Sequence, residues 1–190
     1  MARWEPDARD RLVRAALDLF GEQGYDATTV AQIAERAGLT KSTFFRHFPD
    51  KRELLVAGQD TLATLLTEGA AGAPDSATPM EAVLAALEAV TAAFTPDRRE
   101  LGPKLQAAIA ANAELQERDT LKQVGLAAVL TEALHRRGIP DPAASLAAEI
   151  GMLAFKRAYA RWVTAGETAE LATLAREELH AVQSATSTLT

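Results

Sequence analysis

Thr40, Lys41, Ser42, Thr43, Arg46 and His47 lie within eight consecutive residues. They mix short hydroxyls, which both donate and accept hydrogen bonds, with cations that pair with phosphate. On the exposed side of a helix, such a set can read base edges in a major groove and grip the backbone beside them. Phe44 and Phe48 are interleaved with them, four residues apart, so both fall on the opposite face and can anchor a core.

No other part of the chain offers comparable chemistry. The three histidines, His47, His135 and His180, are scattered, and none falls in a His-x-x-x-His or His-Glu-x-x-His spacing. The glycines Gly69 and Gly72 are followed by Pro74 rather than by the Lys-Ser/Thr pair of a phosphate loop. Glu177 and Glu178 read as a solvated pair on an exposed helix face. With no cysteine, disulfides, thiol catalysis and zinc fingers are excluded. No catalytic residue, no metal site and no cofactor is expected.

The elements that position the polar row follow from periodicity and caps. Leu12, Val13, Ala16, Leu17 and Phe20 predict a first helix over about Asp7 to Gln23, ended by Gly24. Thr29 with Gln32 three residues on is a capping box for a second helix, whose inner face is Val30, Ile33, Ala34 and Ala37. Gly38 stands where a C-cap glycine belongs, and Thr40 can cap the third helix. Asp50 and Glu53 predict the opening of a fourth helix continuing to about Glu68, with Leu54, Leu55, Gly58, Leu62, Leu65 and Leu66 inward. Thr78-Pro79 with Glu81 restarts the chain as a helix to about Phe94. Thr95-Pro96 begins another, which Gly102-Pro103 should break or kink before it resumes to Ala111. Asn112 caps a long helix ending at Arg137-Gly138. A helix over about 142 to 165 follows, then a last one from Thr168, leaving little to bury after Ser184.

The expected fold is therefore all-α, with about nine helices. An N-terminal three-helix domain over 1–52, its helix-turn-helix at about 29–48, precedes a larger helical domain over 53–190. At 48% hydrophobic and only 5% aromatic residues, the composition favours packed helices over strands. No apolar run reaches the roughly 20 residues of a bilayer span, and charges from Arg3 to Arg11 interrupt any leader, so no membrane partner and a cytoplasmic location are expected.

A net charge of −6 at first opposes a nucleic-acid partner, but its distribution removes the objection. Residues 1–52 carry nine Lys/Arg against eight Asp/Glu, a net +1, which leaves 11 against 18, a net −7, for the rest. Lys41, Arg46, Lys51 and Arg52 face Asp50 alone over residues 41–52. Charge is screened within about 8–10 Å, so a local cationic patch can engage phosphates on an acidic body. Arg3, Arg9, Arg11 and Arg14 read as a solvated face paired with nearby acids.

The pattern Phe20-Gly-x-x-Gly24-Tyr25, Thr28-Thr29-Val30, Ile33-Ala34, Ala37-Gly38-Leu39, Thr43-Phe44-Phe45, Phe48 and Lys51 resembles the DNA-binding domain of the TetR family of bacterial transcriptional regulators. The match covers roughly residues 8 to 56. The resemblance implies that Thr29 and Lys51 bind phosphates, that Lys41, Ser42 and Thr43 face the groove, and that Arg46 and His47 sit at its edge. The resulting DNA-binding set is Thr28, Thr29, Thr40, Lys41, Ser42, Thr43, Phe45, Arg46, His47 and Lys51. Phe45 stands where the family usually has a phosphate-touching tyrosine, and Ser42 where it often has glycine.

The same resemblance implies a repressor that binds a palindromic DNA operator as a homodimer and is released by a small-molecule effector. The last two helices would form the dimer face, for which Ile150, Leu153, Trp162, Leu171 and Leu179 are the candidates. The residues permit this: Leu146, Ile150 and Leu153 make one apolar stripe, and Met152, Phe155, Tyr159, Trp162 and Val163 a second, and a helix apolar on two faces must bury both. The effector pocket would lie among the middle helices. Phe94, Gln106, Asn112, Phe155 and Tyr159 are candidate lining residues, and the Ala/Leu/Phe content suits a hydrophobic effector. The alternatives are an enzyme, which the scattered histidines disfavour, and a DNA-binding protein controlled without a small effector.

Overall fold

A computed structural model describes residues 8–54 and 57–188. The expectations for Arg3, Asp7 and Leu55 lie outside the described residues. Among the described residues there are nine α-helices, one 3₁₀ turn and no strand. The helices are α1 (Ala8–Gln23), α2 (Val30–Arg36), α3 (Lys41–His47), α4 (Gln59–Gly72), α5 (Pro79–Thr91), α6 (Pro96–Ala111), α7 (Ala113–Arg136), α8 (Ala143–Trp162) and α9 (Leu171–Ser187), with the 3₁₀ turn at Lys51–Leu54. No helix among them is long and apolar enough to cross a membrane.

The chain divides into two compact units, one of residues 1–57 with 101–120, the other of 58–100 with 121–190. In the first, Leu12 and Phe20 of α1, Ile33 of α2, and Phe44 and Phe48 at α3 enclose a core that Ala108 and Leu115 complete. Phe44 and Phe48 are essentially inaccessible, and each contributes about 1.5–3 kcal/mol through burial. In the second unit α4 packs on α5, α5 on α8 and α9, and α8 on α9. Its main core combines Leu62 and Leu66, Val83 and Leu87, Leu126, Leu130 and Leu134, Met152 and Leu179. Arg137 closes the end of α4 by donating from Nη1 to the carbonyls of Ala70 at 3.1 Å and Ala73 at 2.9 Å.

The local signals formed as expected where they were strongest. Both capping boxes, Thr29 with Gln32 and Thr78 with Glu81, are present. Asn112 caps α7, its Oδ1 accepting from the Leu115 N–H at 3.1 Å.

The expected fourth helix is corrected. Asp50 opens only the 3₁₀ turn, accepting from the Glu53 N–H at 3.2 Å, and α4 starts afresh at Gln59. Gly58 is the reason: it holds φ +84° as the residue before α4, a left-handed conformation that cannot continue a right-handed helix. Gly58 therefore sits at a helix start and not within a continuous helix opened at Asp50. The Gly102-Pro103 break is also absent, because α6 runs through Pro103 as one helix. The final helix begins at Leu171, later than Thr168, and extends past Ser184 to Ser187.

Candidate nucleic-acid interface

The turn between α2 and α3 is built by Gly38. At φ +65° it lets the Leu39 N–H reach the Ala34 carbonyl at 2.8 Å while its own N–H donates to Glu35 at 2.9 Å. This paired closure ends α2 and redirects the chain into α3. The Thr40 hydroxyl then accepts from the Thr43 N–H at 3.1 Å and pairs with the Thr43 hydroxyl at 3.0 Å. With Phe44 and Phe48 inward, Thr40, Lys41, Ser42, Phe45 and Arg46 are exposed and Thr43 is half-buried. Sequence spacing and structure agree here on a polar, cationic face over an aromatic anchor.

Phe45 is 49% exposed, and its ring meets the edge of Phe44 at a centroid distance of 5.5 Å. The Lys41 ammonium stands 5.8 Å from the Phe45 ring centre, so the two form one amphipathic surface element. His47 is half-buried, and its Nε2 is enclosed without a hydrogen-bond partner among the described residues.

Thr28, Thr29 and Lys51 have internal partners. Thr28 is 1% exposed and donates its hydroxyl to the Gly24 carbonyl at 2.7 Å, so its side chain presents nothing to a ligand. Thr29 is exposed at the start of α2, its hydroxyl donating to Gln32 Oε1 at 2.9 Å. Lys51 donates from Nζ to the carbonyls of Tyr25 at 2.7 Å and Thr28 at 3.1 Å. An ammonium has three donors, two of which these carbonyls take. Arg52 is engaged by Asp50 at 2.6 Å and Glu114 at 3.3 Å. The Arg52 guanidinium, with N–H groups of residues 52 and 53, holds the Asp50 carboxyl below its usual range. Burial, with the Glu114 and Asp50 carboxylates nearby, pushes the Tyr25 phenol well above its ordinary value, so it stays neutral.

Residues 12–57 match the domain described as bacterial regulatory proteins, tetR family. These residues are thus a TetR-family domain. It is 39% identical over 82 residues to the HTH-type transcriptional regulator TcmR of Streptomyces glaucescens, a segment that is 43% of this chain and 36% of that protein. The match thus spans little more than a third of that relative's length. A TetR-family regulator from Syntrophomonas wolfei superposes with a TM-score of 0.63 at 17% identity, covering 94% of each chain. The repressor FadR of Thermus thermophilus, solved with lauroyl-CoA, superposes with a TM-score of 0.55 at 22% identity, covering 92% of this chain and 93% of its own. Identities this low carry the TetR fold and nothing finer.

The remaining candidate residues separate. Phe94, Phe155 and Tyr159 do meet, with centroids 5.7 Å apart for Phe94–Phe155 and 5.8 Å for Phe94–Tyr159. Trp162 joins them, 5.9 Å from Phe94. Phe155 also lines an apolar cavity of about 10 Å³ with Leu62, Leu66, Leu87, Val90, Leu126 and Met152. Gln106 and Asn112 belong to the other compact unit, where the Asn112 amide also donates to Asp26 at 3.3 Å.

Of the dimer candidates, Trp162, Leu171 and Leu179 are each 3% exposed, filling the chain's own core. The packing of α8 against α5 and α9 uses the Trp162 face of the helix, which leaves the other stripe outward. Leu146 is 60% exposed, Leu153 is 49% exposed and Ile150 is half-buried. Glu178 is likewise not the solvated residue expected beside Glu177. It is 5% exposed, accepting from Arg157 Nε at 2.6 Å and Arg161 Nη1 at 2.8 Å across α8 and α9.

Sequence reasoning missed the inward use of Lys51, Glu178 and Arg11. None has a local signal, because each partner is distant in sequence.

Proposed function

We propose that this chain is a transcriptional regulator that binds a palindromic operator as a homodimer, acting as a repressor that a small apolar effector releases. The observation carrying this reading is the outward row Thr40, Lys41, Ser42, Phe45 and Arg46 on a helix anchored from behind by Phe44 and Phe48. A seven-residue helix exposing hydroxyls and cations, preceded by a tight turn, has the form of a major-groove reader. Thr29 and the third donor of Lys51 supply backbone contacts in this reading. Phe45 contributes its ring against sugar in place of a hydroxyl bond.

The outward stripe Leu146, Ile150 and Leu153 supports the homodimer, since a two-fold axis would bury it against its copy. Half-sites would then lie one helical turn of DNA, or a multiple, apart. The Phe94–Phe155–Tyr159 cluster beside the apolar cavity supports an apolar effector, as does the acyl ligand of the Thermus relative. A ligand of that size requires an opened form of the second unit, and release follows if it binds that form better than the DNA-competent one. The small cavity also favours a second reading, control by concentration or a protein partner. A thermal-shift screen against fatty acyl thioesters and aromatic acids separates the two, because an effector raises the melting temperature by mass action.

The central test is a mobility shift and footprint on DNA upstream of the chain's own gene, extended to genomic fragments. A protected palindrome is expected. Binding that never discriminates among sequences would sink the proposal.

A further inference from the structure

Arg11 is half-buried in the first turns of α1, and its guanidinium reaches across to the turn that precedes the reading helix. Nη2 donates to the Ala37 carbonyl at 2.5 Å and approaches the Gly38 carbonyl at 3.5 Å. These carbonyls need an outside donor. The turn's own closure uses the Ala34 and Glu35 carbonyls, and the Ala37 N–H donates back to Ile33, so Ala37 and Gly38 point past the end of α2. A cation there also suits the carbonyl end of a helix. The fit is close, since a Cβ added at Gly38 would stand 2.9 Å from the same Nη2. Two residues earlier on α1, Arg9 lies 5.3 Å from the ring centre of Phe48, the residue that ends α3. The start of α1 thus holds the reading helix at both ends, by carbonyls before it and by an aromatic ring after it.

We infer that Arg11 is a positioning residue for DNA reading: it fixes the turn at Ala37–Gly38 and thereby the pose of α3, without touching DNA itself. The inference rests on the DNA-reading function proposed above. Arginine suits the task because its planar fork presents several fixed donors to neighbouring carbonyls, whereas lysine offers one compact charge. A loosened turn leaves the phosphate grip intact but blurs the register of Lys41, Ser42 and Thr43. Discrimination between sequences should then fall while general affinity stays.

The test compares wild-type, Arg11→Gln and Arg11→Lys full-length chains. Each is titrated with a duplex selected by the wild-type chain from a randomised library, and with a scrambled duplex, across a salt series. For Arg11→Gln the ratio of specific to scrambled affinity should fall about tenfold, the scale of one hydrogen bond to a charged group. The slope of affinity against salt should stay unchanged, because no phosphate contact is lost. Arg11→Lys should restore part of the discrimination. Amide exchange at Gly38 and Leu39 should speed up in Arg11→Gln while exchange at Leu12 and Phe20 stays slow, which separates a loosened turn from a destabilised unit. A wild-type chain with no specific duplex would overturn both the DNA-reading function and this inference. A specific wild-type complex that Arg11→Gln reproduces would overturn the inference alone. So would equal losses on both duplexes with a salt slope lowered by about one ion, since Arg11 would then be a phosphate contact.

Discussion

The Lys51 ammonium donates to the Tyr25 carbonyl at 2.7 Å and lies 4.0 Å from the centre of the same residue's ring. With the second bond to Thr28, it ties the 3₁₀ turn to the loop that leads into α2. A residue for which the family resemblance implies a phosphate contact thus holds the fold together.

Lys51→Met keeps the aliphatic stem and removes the charge. Losing one charge-assisted bond pair and a cation–π contact should cost about 1–2 kcal/mol, lowering the melting temperature by roughly 2–8 °C in a chain of this size. Lys41→Met, at an exposed site, should leave melting unchanged while altering preference among operator variants. If Lys51→Met melts like wild type, the carbonyl contacts carry no stability.

Gly69 and Gly72 lie one turn apart on α4 and should respond in opposite directions to alanine. A Cβ at Gly69 would meet Ala86 Cα at 2.7 Å, the Ala85 carbonyl oxygen at 2.8 Å and Ala89 Cβ at 2.8 Å, so α4 must move away from α5. Gly69→Ala should destabilise by about 1–3 kcal/mol, the usual penalty of overpacking. A Cβ at Gly72 meets nothing within 4 Å, so Gly72→Ala should be neutral or stabilising by up to about 1 kcal/mol. Urea midpoints of the two variants decide the matter.

Glu178 supplies a pH-dependent part of stability. The Arg161 hydrogen bond, with Arg157 adding to it, holds its carboxyl below its ordinary value of 4.5. Its contribution is thus fully present above that value and disappears as pH falls through the lower folded one. Glu178→Gln should lower the melting temperature by a constant amount above about pH 5.5, and this difference should shrink below pH 4.5. A difference that stays constant down to pH 3 would assign the effect to packing instead.

Leu153→Arg places a charge in the outward stripe of α8 without entering the core. If the proposed homodimer uses this stripe, sedimentation should shift from dimer to monomer, and operator affinity should fall more than tenfold because only one half-site would then be gripped. Leu171→Arg, by contrast, should unfold the second unit, since Leu171 is only 3% exposed. A Leu153→Arg chain that stays dimeric would move the interface elsewhere.

The helix-turn-helix was legible because its determinants lie within a few residues of one another. Thr29 finds Gln32, Thr40 finds Thr43, and Gly38 closes α2 onto Ala34 and Glu35, all through the backbone of a single turn. The spacing of Phe44 and Phe48 likewise selects the buried face of α3 and so exposes Lys41, Ser42 and Arg46. Gly58 shows where local reasoning stops. An apolar pattern ran through it as though α4 were continuous, yet its φ of +84° belongs to a helix start.

The sequence by itself determined the all-helical fold, the caps and the polar face of α3, because these follow from side-chain periodicity and hydrogen bonds closed within one turn. Tertiary structure alone decided that Lys51 and Arg11 each reach carbonyls 26 residues away, that residues 101–120 join the first unit, and that Phe94 meets Phe155 and Tyr159. It also decided which apolar stripe of α8 turns outward. Those contacts require long loops to close, and any surface arginine or apolar stripe satisfies the local pattern equally well until packing selects its partner.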